Sequence, residues 1–254
     1  MTAQDRQGAA QAVRVLPLAE ELGREVRAQT VKTLAETRPP DSPAPDSPAA
    51  DALAEAGRAA LAAAETAFAD LQARDAAVRR EVAGLDCRKY CAHCCYKTVS
   101  ATPAEVFHLA RYVAANLSAK ALAKLKARLR GLDDKTRGMS PEERGRARLP
   151  CALLVGRLCI AHPARPASCR GFNSRDVGAC ERALRRREVE IPVYLPQYRI
   201  FGQAHLGLRA GLAESGLAST HLELTPALRI ALEAPDAAAR YLAGEPVFRV
   251  AEQD

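Results

Sequence analysis

The stretch DCRKYCAHCCYK, residues 86–97, places four thiols within nine positions: Cys87, Cys91, Cys94 and Cys95. Four more follow singly, at Cys151, Cys159, Cys169 and Cys180. Spacing alone leaves two conformations open for the cluster. As a helix it would set Cys87, Cys91 and Cys94 along one face at i, i+4 and i+7, with Cys95 flanking them. As a turn, Cys91 and Cys94 have the spacing of a metal knuckle whose two sulfurs reach one tetrahedral ion. Either way, at least three thiolates gather in a small volume. Such charge is strongly unfavourable alone, and a soft cation is its natural partner. Arg88 and Lys89 lie within the run, and Arg165 and Arg170 flank Cys169. They are expected to offset residual charge and to donate hydrogen bonds to sulfur. His93 and then His162 are the histidines placed to add a ligand, whereas His108 and His205, in helical segments, are expected to be structural. A lone cysteine is ordinarily a small buried hydrophobe, a reading that suits Cys180 better than it suits the quartet.

The elements that must hold these residues are helical. A chain of 254 residues can bury one sizeable core, or one domain with an appendage. Aromatic residues make up only 4% and Trp is absent, so the core must be built from Ala, Leu and Val, which suits closely packed helices. Residues 10–36 read as an amphipathic helix, and RPPDSPAPDSPA (38–49) as a Pro-rich, partly disordered linker. From Asp51 one long Ala-rich helix is expected to run to Gly84, just before the first thiol. Thr102-Pro103-Ala104-Glu105 is a capping box opening a helix to about Asn116, Ser118 opens a second, and Ser140-Pro141-Glu142-Glu143 a third. Residues 149–175, rich in Pro, read as an irregular loop. Helical pattern resumes over 176–187, 193–214 and 225–243. The expected class is therefore mainly α: an N-terminal helix and linker (1–50), then a helical domain (51–250) with an irregular Cys-rich metal-binding loop region.

The formal net charge is +7. No Lys/Arg block is interleaved with aromatics, so a solvated basic surface is expected rather than a nucleic-acid interface. No apolar run reaches transmembrane length and the N-terminus lacks a signal-peptide core, so no membrane association is expected. The expected compartment is the cytoplasm, where thiols stay reduced and bunched cysteines read as metal ligands rather than disulfides.

Cys87-x3-Cys91-x2-Cys94-Cys95, then Cys151-x2-Leu154, then Cys159-Ile160-x-His162-x2-Arg165-Pro166-x2-Cys169-Arg170, resembles the YkgJ-type cysteine-cluster family. Its members are described as zinc- or iron-chelating. The resemblance covers roughly residues 85–180, and His162 departs from it, standing where the family usually has Tyr. It implies metal binding and says little about the N-terminal residues or the last helices.

The expected function is thus a protein holding zinc or iron, with Cys87, Cys91, Cys94, Cys95, Cys151, Cys159, Cys169 and Cys180 as candidate ligands and the metal ion as its one identifiable partner. Eight cysteines exceed one four-ligand site, leaving room for two ions or for one iron–sulfur cluster with spare thiols. The alternative is an iron–sulfur redox protein or enzyme. Cys87, Cys91 and Cys94 match the ligand spacing of radical S-adenosylmethionine enzymes, but the barrel strands of that family have no counterpart here. Flagellin N-methylases carry a similar cluster, yet no GxGxxG supports a cofactor site. HExxH, a P-loop and a nucleophile–base pair are also missing from the sequence, so no catalytic residue is assigned.

Overall fold

A chain so rich in Ala, Leu, Glu and Arg favours helix, and the computed structural model, which describes residues 3–37, 48–185 and 189–253, is mainly α. The helices among these residues are α1 (Ala3–Thr37), α2 (Pro48–Arg74), α3 (Ala76–Ala83), α4 (Pro103–Asn116), α5 (Ala119–Thr136), α6 (Pro141–Ala147), α7 (Ala167–Gly171), α8 (Val177–Arg185), α9 (Leu195–Glu214), α10 (Leu224–Glu233) and α11 (Ala237–Leu242). The strands are two residues each. β1 (Ser100–Ala101) pairs antiparallel with β4 (Leu222–Glu223), and β2 (Leu154–Val155) with β3 (Leu158–Cys159).

Both capping boxes form where the sequence places them, at Thr102/Glu105 and Ser140/Glu143, and Ser118 caps α5. Three expectations are revised. The long helix from Asp51 is broken at Asp75, which turns extended (φ −118°) and accepts from the N–H groups of Ala77 and Val78 to start α3. The span 225–243 is two helices, parted between Glu233 and Ala237. The segment 149–175 is an ordered relay of the β2–β3 hairpin, a 3-10 turn at His162–Ala164 and α7. The expected linker lies outside the described residues up to 47, and its last two residues begin α2.

The core is an Ala/Leu interior in which α1 lies along α9, α2 packs on α1, α4 and α9, and α10 packs on α4 and α5. Leu53, Leu109, Leu208, Leu212 and Leu228 are fully buried in it. Such close packing needs missing side chains at the crossings. A Cβ at Gly207 on α9 would collide with the carbonyl of Gly23 on α1, and one at Gly57 on α2 with the carbonyl of Ala104 at the start of α4. No helix among the described residues is long and apolar enough to cross a membrane.

A pair of substitutions on one helix tests this packing. Gly207→Ala is expected to destabilise by about 1–3 kcal/mol through overpacking. Gly202→Ala, where a Cβ meets nothing within 4 Å, should be neutral or stabilise by up to about 1 kcal/mol. Urea denaturation of the two variants measures the difference.

Candidate metal centre

Three separate segments converge behind the cluster. After α3 ends at Gly84, Asp86 ties the chain to the start of α8: its N–H donates to the Ser174 carbonyl (3.0 Å), and its Oδ2 accepts from the Val177 N–H (3.0 Å). The Ser174 N–H in turn donates to Cys87 Sγ at 3.3 Å. Residues 88–91 then form a turn, with the Cys91 N–H donating to the Arg88 carbonyl (2.9 Å) and Tyr90 left-handed at φ 71°. A 3-10 turn over His93–Tyr96 carries Cys94 and Cys95. Of the two conformations open from spacing, the turn is therefore the one adopted.

The second segment is the hairpin. The Cys151 N–H donates to the Cys95 carbonyl at 2.7 Å, and β3 sets Cys159 opposite Leu154. At the hairpin tip Arg157 is also left-handed (φ 68°), and its Nε donates to the Tyr90 carbonyl at 3.1 Å. Two non-glycine residues in this region, each costing roughly 1–2 kcal/mol, thus meet at one rim of the site. The strain is held by the contact between the loops.

The third segment is α7, placed by Glu105. This carboxylate is 1% exposed. Its Oε2 completes the cap by accepting from the Thr102 N–H (2.7 Å), while Oε1 accepts from the Ala167 N–H (2.7 Å) at the first residue of α7. His205 Nδ1 on α9 lies 3.1 Å from Oε2. Burial works against its charge, but His205 and the two backbone donors outweigh it and hold the carboxyl below the usual range. One side chain thereby joins α4, α7 and α9, and fixes Cys169 two residues along α7.

The segments enclose an open cavity of about 2000 Å³ lined by every cysteine except Cys180, which is buried on α8. All eight thiols are free. Seven Lys or Arg side chains line the same cavity against two carboxylates, Asp176 and Glu190. The adjacent pair is polarised. A hydrogen bond from Cys95, aided by Arg165 and Lys97, holds Cys94 down at about 6 against the effect of burial, and the same bond with burial pushes Cys95 far up. Burial raises Cys151 to about 11 and also raises Cys87, Cys159, Cys169 and Cys180. Among the described residues no three His, Cys, Asp or Glu side chains are already gathered as a group that could hold a metal ion. The donors share a cavity without being closed around a point.

The expected helpers divide. Arg165 offsets charge at Cys94, Cys159 and Cys169, but its Nε donates to the His162 carbonyl (3.2 Å) rather than to sulfur. Arg170 turns away from sulfur: it is buried against Glu65 and donates to the carbonyls of Pro163 and Arg165. His162 lines the cavity, whereas His93 faces Glu181 on α8 at 3.7 Å.

Two features had no sequence signal. Arg144 on α6 is 5% exposed, its Nη2 is ion-paired with Glu223 at 3.5 Å while Nε and Nη1 have no hydrogen-bond partner, and its charge acts on Cys151. His205, read as structural, stacks on His221 in the cavity wall with ring centroids 5.1 Å apart. Ser100 Oγ lies 3.1 Å from His221 Nδ1, which resembles a nucleophile–base pair. However, Arg209 Nη1 faces His221 Nε2 and can only donate, so that nitrogen is the acceptor and Nδ1 carries the hydrogen. That hydrogen is shared between Ser100 Oγ and His205 Nε2, 3.2 Å away, so Nδ1 is not placed to take the serine's proton. Comparison with protein-family models, with curated proteins and with solved structures returns no match.

Because the Glu105 carboxyl is depressed on folding, its contribution is present above its unfolded pKa of roughly 4.3 and is lost as pH falls through the lower folded value. Glu105→Gln is expected to cost about 3 kcal/mol near neutral pH and to remove this part of the acid-side loss of stability. Denaturation midpoints measured between neutral and acidic pH report both effects.

Proposed function

We propose that this chain binds zinc or iron through the thiols that its separate segments bring to one cavity. The observation that carries the reading is the convergence itself: cysteines from the cluster loop, the hairpin and α7 open on a single cavity whose wall is rich in cations. Thiolates are the soft donors that such ions take, and a structural zinc site closes with four of them. Loading would replace repulsion among thiolates by bonds to the ion and would release the thiol protons. Since the donors are not gathered beforehand, binding is expected to draw the loops together, coupling metal uptake to local ordering. The motif resemblance to YkgJ-type chains points the same way, and the reading takes the cytoplasm, where thiols stay reduced, as the compartment. The proposal is one of binding and assigns no reaction.

The test is elemental analysis and absorption spectroscopy of protein purified reduced and without oxygen. A colourless protein with stoichiometric zinc, or one with bound iron, is the expected result. A broad brown absorbance would identify the same thiols as holding an iron–sulfur cluster. Cys91→Ser and Cys169→Ser should each lower the metal content, since both belong to the cavity. Fully folded, metal-free wild-type protein would overturn the proposal.

A further inference from the structure

Resting on the metal-binding reading above, we infer that the eight cysteines form two abutting four-thiol sites, each for its own ion. Cys87, Cys91, Cys94 and Cys180 make one, and Cys95, Cys151, Cys159 and Cys169 the other.

The division follows from how the 3-10 turn at residues 93–96 is supported. On one side it packs against α8, the helix that carries Cys180. That side also holds Cys87, through the Ser174 N–H on its sulfur and through Asp86, which is bonded to Ser174 and Val177 just before and at the start of α8. His93 in the turn reaches Glu181, the residue after Cys180. On the other side the turn is bonded to the hairpin segment by the Cys95 carbonyl and the Cys151 N–H. There the Ile160 N–H donates to the Leu153 carbonyl, and the β2–β3 pairing holds Cys159 close to Cys151. Cys94 and Cys95 are adjacent on the turn and hydrogen-bonded through their thiols, so the two sites would meet at this pair.

Apart from those of Cys94, the mutual fields of the thiols run along the same division. The thiols that act on Cys87 are Cys91, Cys94 and Cys180, and those that act on Cys180 are Cys91 and Cys94. Cys95 is acted on by Cys94, Cys151 and Cys159, Cys169 by Cys151, Cys94 and Cys159, and Cys159 by Cys94. Cys94, hydrogen-bonded to Cys95 and acting on members of both groups, stands at the seam.

Two tetrahedral thiolate sites hold eight sulfurs, which is the number in the chain. Two divalent ions with eight thiolates leave a formal excess of about four negative charges, which needs cations nearby. The wall supplies them. Arg165 and Lys97, both in the wall, act on Cys94 at the seam, and Arg165 also acts on Cys159 and Cys169 in the second group.

The experiment is a zinc titration of the reduced, metal-free full-length chain, with bound ions counted by native mass spectrometry. Two ions per chain are expected for the wild type. Cys87→Ser and Cys180→Ser should each retain one ion, as should Cys159→Ser and Cys169→Ser, while combining Cys180→Ser with Cys159→Ser should retain none. The ion retained by each single variant also shows that the variant is folded. One ion in the wild type, lost on substitution in either group, would overturn the division while leaving the metal-binding reading intact. Loss of both ions from any single variant outside the seam would likewise overturn it, in favour of one joint cluster. A wild-type chain that takes up no zinc, iron or cluster would overturn the reading on which the division rests.

Discussion

A single buried carboxylate holds the site's geometry together. Glu105 sits in the dry interior, where an ion is tolerated only if its oxygens are fully hydrogen-bonded. Its donors come from the start of α4, from the start of α7 and from α9, so satisfying the charge joins three elements distant in sequence. The helix cap alone would need only the Thr102 contact. The contact to Ala167 sets Cys169 against the cavity, and the contact to His205 attaches the site to α9, which packs on α1 and α2 through the core.

The cavity that results is electrostatically divided against itself. Burial favours neutral thiols and raises most of them, while Arg165, Lys97 and the Cys95 hydrogen bond favour a thiolate at Cys94. On the proposed reading, the ion resolves this conflict: it replaces the thiol protons, and the surrounding cations balance the remaining negative charge. Arg144 lies outside the cavity wall, ion-paired with Glu223 at 3.5 Å, and contributes only its field on Cys151. The strained contact between Tyr90 and Arg157 fits the proposed reading, since it pins the hairpin to the cluster loop that must close together with it.

The helical class was legible in the sequence because its signals are local. Ala-rich composition, the two capping boxes and Ser118 each act within one turn of helix, and each appears at its expected residue. The break at Asp75 was missed because the Ala pattern continues across it; only the cap geometry of Asp75 ends one helix and starts the next. The motif led to an expected site uniting the cluster with Cys151, Cys159, Cys169 and Cys180, and the cavity is lined by all of these but Cys180. The means of convergence was not foreseen: it depends on a second hydrogen bond accepted by a capping residue, Glu105, whose burial no local pattern announces. Arg170, next to Cys169 in the chain, looked like a partner for sulfur, yet its guanidinium is taken by Glu65 and two carbonyls. Adjacency in sequence does not specify which way an arginine on a short helix turns.

The central claim is that thiols drawn from separate segments surround a soft metal. X-ray absorption at the metal edge of the loaded protein tests it most directly, because the fine structure reports the ligand atoms themselves. The account predicts a first shell made of sulfur alone, at about 2.3 Å if the metal is zinc. A first shell dominated by nitrogen or oxygen would contradict it, because the ion would then lie outside the cysteine cavity.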